Sequence, residues 1–379
     1  MTQPRPITPR PIPHRQILGS QASTTEIVTY LDGICQTLSE LAPQVDQSGK
    51  WPERSMQLCG DSGVFRWFLP QCYGGWEWTD FQILLGYLSL SQSCLTTSFI
   101  LTQWHAAARR ILSSKNTQLL EQVGPKLADG SCFVPVGISQ LSTSRQHTEP
   151  ALRAYSTTCG YRLEGFAPWV TAAAHADLLI LGATLEDGRQ ILAAVPSSAK
   201  GVVCKPGMQL VALSASCTDR VELQGVELRE DQVLAGPVEN VLLASASKGG
   251  GVGGLHTSIL AIGHAMRAAA YLRVESQQRS SLRPVADKLS ADVEVLRMKI
   301  ERLTMGHEVI TVSELRRRAN SLVLRVTQAA LQAAKGAGYV EGHPTGRWAR
   351  EALFFLVWSC PQAVVDANLC DLAGIESPH

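Results

Sequence analysis

Three regimes of hydrophobic patterning follow one another along the chain. From Thr24 onward, Ile27, Leu31, Ile34, Leu38 and Leu41 recur at three- and four-residue spacing, which gathers them on one face of a helix. That face needs a partner. Residues 80–93 and 95–113, rich in Leu, Ser and Ala, predict two more helices that supply it. Between these segments, residues 58–78 form an aromatic, apolar stretch punctuated by Gly63, Pro70 and the Gly74–Gly75 pair. The helical region is expected to end near Leu127.

Short apolar runs then replace the helical period. Residues 130–136 are one run, 161–165 open a strand, and 177–195 read as two apolar strands around a turn with Asp187 and Gly188 at its tip. Further strands are expected at 202–208 and 219–223, and strands this short and close predict an antiparallel sandwich or barrel rather than βαβ units. After the glycine-rich residues 247–254 the helical period returns. Leu289, Val293, Leu296, Ile300 and Leu303 make a bundle seam, and a second helix over 312–335 has Gly336 placed to cap it. The expected fold is α+β and mostly α. It comprises a Pro-rich arm (1–20), an all-α domain (21–127), an antiparallel β domain (128–240) and a C-terminal four-helix bundle (241–379).

Composition narrows the possible functions. The 379 residues carry 34 basic and 33 acidic side chains, so a net charge of +1 offers no footprint for a nucleic acid backbone. Ten cysteines are scattered without a C-x-x-C pair or a histidine at ligand spacing, which reads as reduced core thiols and no metal site. The first sixteen residues lack the apolar run of a secretory signal, and no segment has the apolar length to span a bilayer, so a cytoplasmic location is expected. The glycines at 249–254 precede no Lys-Ser/Thr, no Gly-x-Ser-x-Gly elbow exists, and Cys360 has no basic neighbour in sequence. Phosphate-loop and hydrolase readings therefore have no support.

Residues 332–361, QAAKGAGYVEGHPTGRWAREALFFLVWSCP, carry the strongest signature. Gly336, Gly338, Tyr339, Pro344, Arg347 and the run Arg350-Glu351-Ala352 resemble the C-terminal motif of the acyl-CoA dehydrogenase family. Leu163-Glu164-Gly165, Trp169-Val170-Thr171 and Ala176-Asp177 are similar, in register, to the family's strand pair in the β domain. Leu213 to Ser216 with Val221, Leu223, Val226 and Leu234 resembles a later family strand and its exit to the bundle. The resemblance covers nearly the whole chain from residue 24. It implies a flavin oxidoreductase with FAD between the β domain and the bundle, an acyl thioester or related acyl substrate beside it, and a homodimer or homotetramer with an electron-transfer partner. By the same resemblance Trp169, Val170 and Thr171 lie along the flavin ring, while Gln332, Gly336 and Arg279 hold the dinucleotide end.

Several positions depart from that pattern. Ser359 stands where the family places its catalytic Glu, and residues 253–258, the alternative location for that Glu, contain no carboxylate. Lys335 replaces a glycine, residues 139–145 replace a Thr-Glu-Pro/Gly-Ser-Asp loop while keeping hydroxyls at Ser142, Thr143 and Ser144, and residues 278–284 rewrite an Arg-x-x-Phe-Gly motif. A neutral Ser hydroxyl is too weak a base at neutral pH without an activating partner. His256 and His264 have the pKa range of a base, although a lone histidine on a helix is more often structural, and Glu351 fits an ion pair with Arg347 or Arg350. Alternatives to dehydrogenation are a flavin monooxygenase of the same fold, which needs no acyl α-base, and a FAD-free acyl-binding or assembly protein.

Overall fold

The computed structural model describes residues 18–114, 116–142, 149–245, 255–358 and 362–375. The chain begins with helices α1 (Thr24–Ser48), α2 (Glu53–Ser62), α3 (Asp80–Ser93), α4 (Leu95–Ser113) and α5 (Thr117–Asp129). Strands follow: β1 (Val136–Gly137), β2 (Leu152–Thr157), β3 (Gly160–Val170), β4 (Leu178–Leu185), β5 (Gln190–Pro196), β6 (Val202–Cys204), β7 (Asp219–Arg229) and β8 (Val233–Val238), with the short helix α6 (Ser139–Ser142) after β1. The remainder is helical: α7 (Val241–Ala244), α8 (His256–Gln278), α9 (Arg283–Thr304), α10 (Val312–Ala334), α11 (Pro344–Ala352), α12 (Phe354–Val357) and α13 (Gln362–Ala373).

Local chemistry starts the helices where the pattern places them. Ser23 and Glu26 form a capping box on α1, with Glu26 N–H donating to Ser23 Oγ at 3.3 Å and Ser23 N–H to Glu26 Oε2 at 2.8 Å. Thr79 and Gln82 repeat the device on α3, and the Gln82 amide also donates to the carbonyls of Ser20 and Ala22 at 3.1 Å, fastening the entry to α1. The face expected on α1 is the buried one: Ile27, Leu31, Ile34 and Leu38 are all inside. Trp67 and Trp78 stack at 4.4 Å with Tyr30 on edge, which fills the space beneath α1.

The sheet runs β6-β7-β3-β2-β4-β5-β8, with β1 beside β4. Most neighbours are antiparallel, including the expected β4–β5 hairpin, whose Gly188 takes φ +86° at the turn. Two pairings differ from an all-antiparallel expectation: β1 and β2 each run parallel to β4, so the sheet is mixed. The reason is that β4 is reached from β3 through the turn at Ala173–His175, and comes back on the far side of β2. One apolar core lies inside this sheet, and a second runs without interruption through α1–α5 and the C-terminal helices, because α8 packs on α3 and α4 as well as on α9, α10 and α11. The seam on α9 is as expected, with Leu289, Val293, Leu296 and Ile300 buried. At the end of α10 the cap is Lys335, at φ +56°, and not Gly336, which falls inside the following 3-10 turn.

Candidate functional site

Trp169 and Val170 end β3, and Thr171 opens the turn that follows. The pleat sends Val170 into the sheet core, fully buried, and leaves the Trp169 indole 53% exposed on the other face. Thr171, one step on, is only 3% exposed. Its Oγ1 lies 3.0 Å from Thr218 Oγ1, which lies 2.8 Å from Ser216 Oγ. The backbone turns sharply here: Ala172 N–H is shared between the carbonyls of Ser216 and Cys217 at 3.0 and 3.1 Å. Among the described residues five non-glycine residues have positive φ. Three of them, Ala172, Leu213 and Cys217, frame this one turn, and Lys335 is a fourth. Strain of about 1–3 kcal/mol per residue persists only where the surroundings impose it, and it gathers at functional sites.

The other residues expected at the cofactor lie around the end of α10. Gln332 and Gly336 are exposed, and a Cβ on Gly336 would meet nothing within 4 Å. Gly338 and Gly346 are different, since a Cβ on either would fall 2.7 Å from Thr345 Oγ1 or the Gly338 carbonyl, respectively. These two glycines let α11 dock on α10, whereas Gly336 leaves backbone free for a ligand. Arg279, at the end of α8, reaches the same place. Its Nη2 donates to the Ala333 carbonyl at 2.7 Å and pairs with the Glu275 carboxylate. Of the guanidinium's five N–H donors this leaves three for an anion.

Arg350 links α11 to α1 and to the β domain. Its Nη1 donates to Asp46 on α1 and to the Val211 carbonyl, both at 3.1 Å, so α11 is tied to the segment that leads into Leu213, Ser216 and Thr218. Glu351 does not pair with Arg350. It is buried, with Oε1 3.8 Å from Arg347 Nε and Oε2 3.6 Å from His264 Nε2, and burial pushes its carboxyl up to about 7. His264 Nε2–H donates to the Trp348 carbonyl at 3.0 Å, and burial lowers this imidazole to about 4, so it is neutral and structural.

His256 is not alone. His105 on α4 brings Nδ1 to 3.2 Å from His256 Nε2, Phe68 stacks on His105 at 3.8 Å, and Tyr87 stands edge-on to His256. Burial, with Arg109 nearby, lowers His256 to about 3 and holds His105 well below the usual range. Two neutral imidazoles sharing one hydrogen are a poor base at neutral pH. No spacing rule reveals this pair, because its members are 151 residues apart in sequence. Ser359 and Cys360 lie outside the described residues, as do residues 143–148 of the rewritten loop and the glycines at 249–254. Among the described residues no cluster of three or more His, Cys, Asp or Glu forms a metal site, and no helix is long and apolar enough to cross a membrane.

No family model matches the chain. A probable acyl-CoA dehydrogenase of Bacillus subtilis (strain 168) is 21% identical over 337 residues, which are 83% of this chain and 88% of the relative. Among solved structures, glutaryl-coenzyme A dehydrogenase in complex with glutaryl-CoA superposes with a TM-score of 0.80 at 16% identity, over 94% of this chain and 97% of that one. A dibenzothiophene monooxygenase from Paenibacillus sp. A11-2 gives 0.76 at 14% identity, over 93% and 99%. The chain has the acyl-CoA dehydrogenase fold, from α1 to the end of the bundle. These likenesses point the same way as the resemblance carried by residues 332–361 and 163–177.

Proposed function

We propose that the protein is a flavin-dependent oxidoreductase acting on an acyl thioester or a related acyl substrate. One observation carries the reading: on this fold, Trp169 is exposed near the end of β3, two residues before a buried Thr171 whose hydroxyl lies 3.0 Å from Thr218 Oγ1. The residues present fit a flavin. Trp169 would pack on its ring system, Thr171 would meet its polar edge, and the exposed backbone at Gly336 with Gln332 and the unused donors of Arg279 would hold the dinucleotide end. FAD is the form the dinucleotide contacts favour. When bound, the flavin supplies a two-electron acceptor for hydride. The chain's own part is to bind and orient: the Ala172 and Ser216 turn sets Thr171, and Arg350 holds the signature segment against that turn.

Glu351, the carboxylate of the Arg350-Glu351-Ala352 run, is buried beside Arg347 and His264. With Ser359 at the family position for that base, a monooxygenase of the same fold is the second reading, and the likeness to the dibenzothiophene monooxygenase supports it. A homodimer or homotetramer and an electron-transfer partner belong to the dehydrogenase reading. Anaerobic mixing of flavin-loaded protein with acyl-CoAs of graded chain length decides between them. Bleaching of the flavin supports dehydrogenation. Absence of bleaching at every length, with oxygen consumption in the presence of a reductant and acyl substrate, supports the monooxygenase.

A further inference from the structure

Where the first helices meet the sheet, the last turn of α4 faces β5, β8 and α7 across a cleft of about 410 Å³. Leu192 and Leu234 are among its apolar walls, and Arg110, Ser113, Ser114 and Ser245 supply its polar ones. Among the described residues that line it, Arg110 alone is ionisable, and none of the residues assigned to the flavin is present. Arg110 Nη1 donates to the Ala106 carbonyl at 2.8 Å, while its Nε is shut off from solvent without a hydrogen-bond partner. Burial, and then Arg109 beside it, lower the guanidinium to about 10, and no acidic group counters them. Arg110 therefore stays charged at neutral pH in a place where charge without a partner is costly. The C-terminal dipole of α4 offsets part of that charge, but it engages one of five N–H donors.

We propose that this cleft binds an organic monocarboxylate with an apolar body, its carboxylate on the Arg110 guanidinium and its body against Leu192 and Leu234. Two observations select a carboxylate over a phosphate. A single cation balances a single negative charge, whereas a phosphate monoester carries more than one at neutral pH. The serine hydroxyls, moreover, already give their hydrogens to backbone carbonyls: Ser113 to Arg110 and Ser245 to Leu242 at 3.4 Å, and Ser114 to Ile111 at 2.7 Å. They add no donors for further phosphate oxygens. A carboxylate needs only the planar guanidinium fork. The proposal does not depend on the flavin reading, because the two sets of residues are separate.

The test is calorimetric titration of the full chain with octanoate, with octan-1-ol as the uncharged body and inorganic phosphate as the small anion. Octanoate is expected to bind the wild type at least about tenfold more tightly than it binds Arg110→Gln, through loss of a charge-assisted pair. Arg110→Lys keeps the charge but loses the fork, so its affinity is expected to fall between the two. Octan-1-ol and phosphate are each expected to bind the wild type at least about tenfold more weakly than octanoate. Ala244 is an exposed residue of α7 on the rim of the cleft, so Ala244→Trp is expected to block octanoate while leaving Arg110 and the far-ultraviolet circular dichroism unchanged. Octanoate that binds wild type and Arg110→Gln alike, or fails to bind the wild type, overturns the proposal. Phosphate that binds more tightly than octanoate overturns it too. If Arg110→Gln does not fold, thermal unfolding with and without octanoate decides: stabilisation of the wild type but not of Ala244→Trp supports the cleft, and equal stabilisation of both overturns it.

Discussion

Gly263 is the point where α8 crosses α3, and replacing it with alanine tests the packing that positions α8 between the two helical regions. A Cβ there would collide with Ser91 Oγ and would lie 2.7 Å from the Leu88 carbonyl oxygen and 3.3 Å from Leu88 Cα. The serine hydroxyl can rotate away, but the carbonyl cannot, since it belongs to the α3 backbone. The helices must therefore separate by roughly 0.5–1 Å, a gap that forfeits a quarter to a half of the dispersion attraction of the facing atoms. Those atoms include Ile259, Leu260, Ile262, Leu84 and Leu88, all buried. Overpacking of this kind costs about 1–3 kcal/mol, and the loss of facing contacts raises the expectation for Gly263→Ala to about 2–4 kcal/mol. Helix propensity pulls the other way, since alanine is favoured over glycine by about 1 kcal/mol in a helix interior. The sign of the result thus decides which effect wins. Urea unfolding followed by far-ultraviolet circular dichroism measures it, with Ser91→Ala and the double variant as controls. The double variant is expected to recover only part of the loss, because the Leu88 carbonyl remains. A Gly263→Ala protein as stable as wild type, or more stable, refutes the α3–α8 geometry.

Three further outcomes follow from single residues. Lys335→Gly relieves a positive-φ residue whose strain is about 1–3 kcal/mol against a glycine entropy cost of about 0.5–1 kcal/mol, so a gain near 1 kcal/mol in the same unfolding assay is expected; a loss would show that the lysine side chain contributes more than its backbone costs. Glu351 titrates at about 7 when folded against 4.5 as its ordinary value, so the native state holds this proton more tightly. Its contribution is full below pH 4.5 and is lost as pH rises through about 7, and Glu351→Gln is expected to remove that decline; an unchanged pH profile contradicts the assigned environment. His256 has the opposite sign: with a folded value of about 3 against 6.5, stability is lost as pH falls below 6.5, and His256→Asn is expected to flatten this acid limb.

Much of the architecture is legible in the sequence because burial is periodic. The α1 face, the α3 and α4 limits, the hairpin at 178–196 and the α9 seam all follow from spacing that one buried side imposes. Two features do not follow. The parallel pairings of β4 depend on which side of β2 the chain returns to, a long-range choice that alternation does not encode. The cap at Lys335 violates the local preference that points to Gly336: the lysine takes the positive φ, and its N–H donates to the Gln332 carbonyl. At the site, Trp169 and Thr171 are legible by resemblance, whereas the supporting Ser216–Thr218 chain and the His105–His256 pair exist only once distant segments meet. The contrast between Gly336, open to solvent, and Gly338, pressed on Thr345, is likewise invisible in a motif that treats glycines alike.

The central claim is that Trp169 and Thr171 form a flavin platform on this fold, and the most direct measurement is the visible spectrum of the purified protein before and after incubation with FAD. The account predicts flavin absorbance at about 450 nm corresponding to about one flavin per chain, falling on Thr171→Val and on Trp169→Ala. A wild-type protein that remains colourless and leaves FAD fluorescence unquenched after reconstitution contradicts it.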